Sequence, residues 1–187
     1  MASAAVQRAV LSPHDAEPGN PVRSIAVEVR LTPEALLACH YTLEGDLARL
    51  RVPAPHAGQR TEGLWRHTCF EAFIAVPGAR GYYEFNFSPS RDWAAYDFED
   101  YRSGMSAASL PRAPDPEVHS HGDRLELMVT VALTGLARLQ GARLLRLALA
   151  AVCETTAGQL SYWALRHSSG RPDFHHPDGF VLELRTA

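Results

Sequence analysis

Hydrophobic and polar residues alternate with a period of two along much of the chain, beginning near residue 24. In the first such stretch Ile25, Val27, Val29 and Leu31 share one side, and charged residues share the other. This alternation is typical of β-strands that bury one face. Similar short runs occupy residues 37–43, 47–52, 68–76, 82–88, 91–98, 125–131, 159–165 and 180–184.

Residues 143–153, RLLRLALAAVC, form the one long apolar run, and their composition also suits a helix. We predict a central strand, because the neighbouring segments are strands and Gly135 and Gly141 flank a short possible helical turn at 136–140. About ten short strands separated by turns predict an all-β fold, an antiparallel, jelly-roll-like β-sandwich with at most one or two short helices.

Residues 1–23 are rich in alanine, proline and polar residues and show no periodicity. We therefore predict a mobile or loosely packed N-terminal arm over 1–23, followed by one β-sandwich domain over 24–187.

Composition excludes several functions. The net charge of -3 is small and both signs are scattered, so we expect no nucleic-acid partner. All 18 positively charged residues are arginine, and the sequence contains no lysine. This excludes nucleotide-binding proteins that need a P-loop lysine and enzymes that form a Schiff base on lysine. No run is long enough to span a membrane, and we expect no membrane partner. Three widely spaced cysteines do not form a disulfide framework, so we expect a cytoplasmic protein with reduced thiols.

Aromatic and polar residues concentrate in two stretches, 64–105 and 161–180. Aromatic rings beside fixed polar groups suit a saccharide or other polar small molecule, whose C–H face packs on a ring while its hydroxyls form hydrogen bonds. The alternative is that the rings belong to the core, which fits Phe85, Phe87 and Phe98 best. We predict a ligand site where the two stretches meet, at one end of the stacked sheets.

Three phrases resemble the DOMON-like superfamily, and within it the domains similar to family 9 carbohydrate-binding modules and a bacterial subgroup without established function. They are LWRHTCFEAFI, with Trp65 six residues before Glu71, then YYEFNFSPSRDWAAYDF and PDFHHPDGFVLEL. The resemblance covers roughly residues 25–185 and implies non-catalytic binding of a saccharide held between two aromatic rings.

The resemblance also implies roles for individual residues. Trp65 takes the place of the first ring and Glu71 that of a hydroxyl-binding carboxylate. Phe174 lies near the second ring, where the best-characterised members have tryptophan, and Asn86 stands where they have arginine. Arg171 is a further candidate hydrogen-bonding group.

His175, beside Phe174, completes the candidate ligand site. Other members of the superfamily hold haem b between a methionine and a histidine or lysine. The only methionine in a predicted loop is Met105, and His167 or His175 are the candidate partners. A haem-binding, cytochrome-like domain is therefore an alternative function.

Two more alternatives stay open. A protein-interaction module would use the aromatic surface to dock a partner without any small ligand. A hydrolase would need paired carboxylates, for which Glu71 with Glu84, or Asp92 with Asp97, are candidates. The motifs GxSxG and HExxH do not occur in the sequence. We expect neither a catalytic residue nor a metal site outside the haem alternative.

Overall fold

A computed structural model describes residues 5–15 and 18–186 of the chain. Its regular secondary structure is almost entirely β, with twelve strands, and the helical segments in this part of the chain are four 3₁₀ turns of three residues each. The strands are β1 Gln7–Pro13, β2 Val22–Leu31, β3 Leu36–Gly45, β4 Cys69–Ala75, β5 Tyr82–Phe87, β6 Trp93–Phe98, β7 Ser106–Ala107, β8 Glu117–His121, β9 Arg124–Ala132, β10 Leu144–Glu154, β11 Leu160–Ala164 and β12 Leu182–Arg185. The 3₁₀ turns are Leu47–Arg49, Leu64–Arg66, Ala137–Leu139 and Pro177–Gly179.

All strand pairs are antiparallel, and the strands follow the order β7-β6-β5-β4-β10-β11-β1-β2-β3-β9-β8, with β12 also paired to β10. We call β1, β2, β3, β8 and β9 sheet I, and β4–β7 with β10–β12 sheet II. Strand β1 joins the two, because Gln7–Leu11 pair with β2 whereas Ser12 and Pro13 pair with β11. The predicted all-β, sandwich-like fold is confirmed.

The main core lies between the two sheets and follows from the alternation in the sequence. In sheet I the apolar row of β2 begins at Ile25, and in sheet II the row Phe70, Ala72 and Ile74 of β4 joins the same buried cluster. Tyr41 of β3 spans the interior, with its ring 5.1 Å from that of Phe70 and its hydroxyl donating to the carbonyl of Glu71 at 2.9 Å.

Sheet II is buried on its outer face as well. The residues of β4 that point away from the main core form a second buried cluster with outward-facing residues of β5, β6 and β10. Trp65 and Phe174, from two loops, cover this cluster. Burial on both faces explains why residues 143–153 form one continuous apolar run, and the strand predicted there is β10.

The N-terminal segment differs from the predicted arm. Residues 7–13 are strand β1, and Leu11 is only 2% exposed because it faces the core between the sheets. Residues 22 and 23 already belong to β2. Residues 1–4, 16 and 17, also within the predicted arm, lie outside the described residues, as does residue 187.

Two smaller expectations also change. The run 47–52 is not a regular strand: it contains a 3₁₀ turn, and Leu50 makes only an isolated bridge with Thr155. Strand β8, at the exposed edge of sheet I, was not predicted because its sequence EVHSH lacks an apolar row.

Among the described residues, no helix has the length and apolar character needed to cross a membrane.

Candidate functional site

A cavity of about 430 Å³ opens on the outer face of sheet II. This volume lies within the range of small-molecule sites. Its lining combines aromatic rings with two carboxyl groups, a guanidinium and an imidazole, and the lining residues are Trp65, Glu71, Glu84, Phe98, Arg102, Met105, Val152, Tyr162, Pro172, Phe174 and His175. The predicted meeting of the two aromatic stretches therefore occurs on a sheet face and not at one end of the sandwich.

Strand register places two carboxyl groups on the floor of this cavity. Glu71 of β4 pairs directly with Asn86 of β5, and Glu84 lies two residues before Asn86, so all three side chains share the outer face. Glu71 is 2% exposed and Glu84 5% exposed. Asn86 is fully buried and its Nδ2 donates to Glu84 Oε1 at 2.7 Å.

The polar floor is incompletely hydrogen-bonded. Glu71 Oε1 and Asn86 Oδ1 are buried and have no hydrogen-bond partner among the described residues. A buried polar atom without a partner is costly, and in native proteins such an atom calls for an explanation. A ligand that brings a donor into the cavity would explain the free Oε1 of Glu71, which belongs to the cavity lining.

Burial also changes the acidity of the two carboxyl groups. Loss of solvent and repulsion by Glu84 raise the pKa of Glu71 well above its usual range, although Arg102 opposes the shift. Loss of solvent raises the pKa of Glu84 to about 7, against the opposing effects of its hydrogen bond with Asn86 and of Arg102. Burial therefore disfavours ionisation of both groups, and a protonated carboxyl group can donate as well as accept hydrogen bonds.

His175 is a neutral side chain held against this floor. Its Nδ1 lies 2.7 Å from the hydroxyl of Tyr82, which accepts the backbone N–H of Arg102 at 3.2 Å. A hydrogen bond joins Nδ1 to this hydroxyl, and the other ring nitrogen, Nε2, lies 3.8 Å from Glu84 Oε2. Burial, reinforced by Arg102, lowers the pKa of His175 to about 4.

Asp173 joins the two loops that wall the cavity. It accepts hydrogen bonds at Oδ1 from Nη2 and Nε of Arg102, at 2.8 and 3.2 Å, and at Oδ2 from the hydroxyl of Tyr101. The backbone N–H of His175 also donates to Oδ1, at 3.0 Å. Burial alone would raise the pKa of Asp173, but the bonds from Tyr101 and Arg102 bring it below its usual range. The resulting carboxylate fixes Arg102 and His175 relative to each other.

Trp65 and Phe174 both belong to the aromatic lining of the cavity. Gly63, at a φ of 77° that favours glycine, precedes the 3₁₀ turn Leu64–Arg66 and so presents Trp65. The indole packs edge-on against the ring of Tyr96 at 5.7 Å. Phe174 packs edge-on against Tyr162 at 6.1 Å.

The structure brings most of the predicted site residues together. Trp65, Glu71, Phe174 and His175 line the cavity. Asn86 does not line it but supports Glu84 from the same face. Contact between these five residues and a ligand remains a prediction.

Arg171 is not brought into the cavity. It is exposed and lines a separate surface depression with Ser168, Ser169 and Asp178. The guanidinium of the site is Arg102, which sequence reasoning missed. Tyr162 was also missed, although the alternation in SYWALR, which places Tyr162 and Trp163 on opposite faces of β11, was a usable signal.

The predicted haem ligands do not form a fitting haem site. Met105 and His175 both line the cavity, but His175 is held through Tyr82 and directs Nε2 at Glu84. His167 lies outside the cavity lining, and its Nε2 contacts the carbonyl of Ser12 at 2.8 Å. Two buried carboxyl groups on the floor also oppose an apolar porphyrin face. Within residues 5–15 and 18–186, no group of three His, Cys, Asp or Glu side chains could hold a metal ion.

Three solved structures share this fold: a candidate carbohydrate-binding protein and two complexes of a family 9 carbohydrate-binding module. A candidate carbohydrate-binding protein from Bacteroides uniformis ATCC 8492 aligns with a TM-score of 0.70 and 16% identity, over 97% of this chain and 87% of that one. A family 9 carbohydrate-binding module from Caldicellulosiruptor kristjanssonii, in complex with glucose, aligns with a TM-score of 0.58 and 9% identity, over 97% and 84% of the two chains. The complex with cellotriose gives 0.55 and 10%, over 97% and 82%.

At these identities the similarity shows a shared fold and leaves the ligand of this chain to be argued from its own residues. No protein-family model matches the sequence, and no curated protein matches it either.

Proposed function

We propose that this chain is a non-catalytic saccharide-binding domain whose site is the cavity on the outer face of sheet II. The observation that carries the proposal is the buried, unpartnered Oε1 of Glu71, which lies in the same cavity as the rings of Trp65, Tyr162 and Phe174. A sugar offers hydroxyl donors to such an oxygen and an apolar C–H face to such rings.

The fold and the sequence phrases support the same proposal. Two structures with this fold hold glucose or cellotriose. Membership of the DOMON-like superfamily, suggested by the phrases around Trp65, Tyr82 and Phe174, is the finer part of the proposal. It predicts that binding depends on both aromatic loops, so loss of either ring would weaken it.

The pair of carboxyl groups, Glu71 and Glu84, suggests glycoside hydrolysis as a second candidate function. Glu71 and Glu84 lie on one face, as paired catalytic carboxyls must. A glycosidase, however, needs the two pKa values pushed apart, with one carboxyl held ionised as nucleophile or base. Here burial raises both, and Glu71 has no hydrogen-bond donor at Oε1 to hold it as a carboxylate. We therefore favour binding over catalysis.

Calorimetric titration against glucose and β-1,4-linked glucose oligomers tests the proposal. We expect Trp65→Ala and Phe174→Ala each to weaken binding by about tenfold or more, since each removes a stacking surface. Val10→Ala, an exposed change on β1, is the matched control and should leave affinity unchanged. Affinity that is equal in wild type and Trp65→Ala contradicts the site, and release of shorter oligomers during the titration contradicts the non-catalytic part.

A further inference from the structure

The charges around the cavity do not balance. Two carboxyl groups, those of Glu71 and Glu84, line it, and the one guanidinium there is that of Arg102. Both Nε and Nη2 of Arg102 are already bonded to Asp173 Oδ1. Neither Glu71 nor Glu84 forms an ion pair with an arginine among the described residues.

Two buried hydrogen-bond acceptors at this site also lack donors. Glu71 Oε1 and Asn86 Oδ1 are acceptors without donors. His175, which is neutral, approaches Glu84 Oε2 only to 3.8 Å. Glu71 Oε1 is thus an acceptor without a donor, and the two carboxyl groups resist ionisation because they are buried without a positive partner in the described part of the chain.

The walls favour a cation as well. Trp65, Phe98, Tyr162 and Phe174 all line the cavity. The faces of aromatic rings attract ammonium groups, most strongly where water is excluded. Carboxylates below and aromatic rings beside a ligand are the two features that recognise an amine.

We propose that the saccharide recognised here is an amino sugar, with its ammonium group against Glu71 and Glu84 and its ring against the aromatic walls. This inference rests on the proposed saccharide-binding function and narrows it to one substrate class. The ammonium supplies a donor to Glu71 Oε1, and its positive charge favours ionisation of the carboxyl groups that burial otherwise keeps protonated.

Three β-1,4-linked disaccharides that differ only in the group at C2 of each ring separate the possibilities. The glucosamine disaccharide carries ammonium groups, its N-acetylated form carries acetamido groups, and cellobiose carries hydroxyls. A sugar amine, like a peptide α-amino group with its usual pKa of about 7.7–8.0, has electron-withdrawing neighbours, so calorimetry at about pH 7 or slightly below keeps it largely protonated. We expect the ammonium form to bind at least about tenfold more tightly than either neutral form, since charge-assisted hydrogen bonds are the stronger ones.

Substitutions of the two cavity carboxyl groups test which side chains cause the preference for the ammonium form. Glu71→Gln and Glu84→Gln keep the side-chain shape and should reduce the ammonium-to-hydroxyl affinity ratio to about one, with cellobiose binding changed far less. Glu117→Gln removes the same charge from the exposed edge strand β8 and should leave the ratio unchanged. Thermal denaturation establishes that each variant is folded, and either cavity variant alone is sufficient for the comparison.

The outcomes are distinguishable. Cellobiose binding that equals or exceeds that of the ammonium form overturns this inference and leaves saccharide binding intact. An ammonium preference that survives in Glu71→Gln and Glu84→Gln also overturns it, because the charge recognised would lie elsewhere. If none of the three sugars binds, both this inference and the proposed function fail.

Discussion

Glu84 is the cavity residue whose charge changes near neutral pH. Burial raises its pKa from 4.5 to about 7, so the folded protein holds a proton there that the unfolded chain has already released. The stability linked to this proton is present below pH 4.5 and is lost as pH rises through about 7. His175 acts oppositely: burial lowers its pKa from 6.5 to about 4, and the stability linked to it is lost as pH falls through that range.

Glu84→Gln isolates the first of these effects, because the amide cannot ionise and still accepts the hydrogen bond of Asn86. Relative to wild type, we expect the variant to gain stability as pH rises from about 5 to 8, by up to roughly 3 kcal/mol. Urea denaturation across that range measures the difference. Glu117→Gln, on an exposed edge, should show no such trend, and a difference between Glu84→Gln and wild type that is constant with pH would refute the assignment.

Individual site residues also show which contacts could be predicted from the sequence and which could not. Trp65, Glu71, Phe174 and His175 lie together because the phrases containing them belong to neighbouring segments of one face. Arg102 was missed because its position depends on Asp173, 71 residues further along the chain, and not on any local pattern.

At the element scale, the strands that bury one face were the easiest to predict. Strands β2, β3 and β9 follow the period-two rule, since one side of sheet I is open to solvent. Strands β4 and β5 are buried on both faces, so alternation could not tell which side carries the site. This is why the site was expected at one end of the sandwich.

Strand β1 provides the sharpest test at this scale. Leu11 is 2% exposed and Val10, its neighbour, is 65% exposed, as the two faces of one strand require. We expect Leu11→Ala to cost about 2–4 kcal/mol by leaving a cavity in the main core. Val10→Ala should change stability by no more than about 0.5 kcal/mol. Urea denaturation measures both, and equal effects would mean that this segment is the loosely attached arm that the sequence suggested.

At the scale of the whole molecule, ligand binding should be visible as added stability. A saccharide at about 100 times its Kd adds roughly 2.7 kcal/mol if it binds only the folded state. For a chain of this size that corresponds to a rise in Tm of about 5–10 °C. Scanning calorimetry with and without the tightest-binding sugar measures it, with Trp65→Ala as the control that should respond much less. No rise in wild type at such a concentration would contradict binding to the folded protein.

Different segments of the chain form the floor and the walls of the cavity. Its floor is set by the pairing of β4 with β5, whereas its walls come from the segments around Tyr101 and Phe174, which meet through Asp173. Substitutions in those wall segments leave the interstrand ladder untouched. Libraries that vary only these wall segments should therefore change the selectivity of the proposed saccharide site while the strand scaffold keeps its shape.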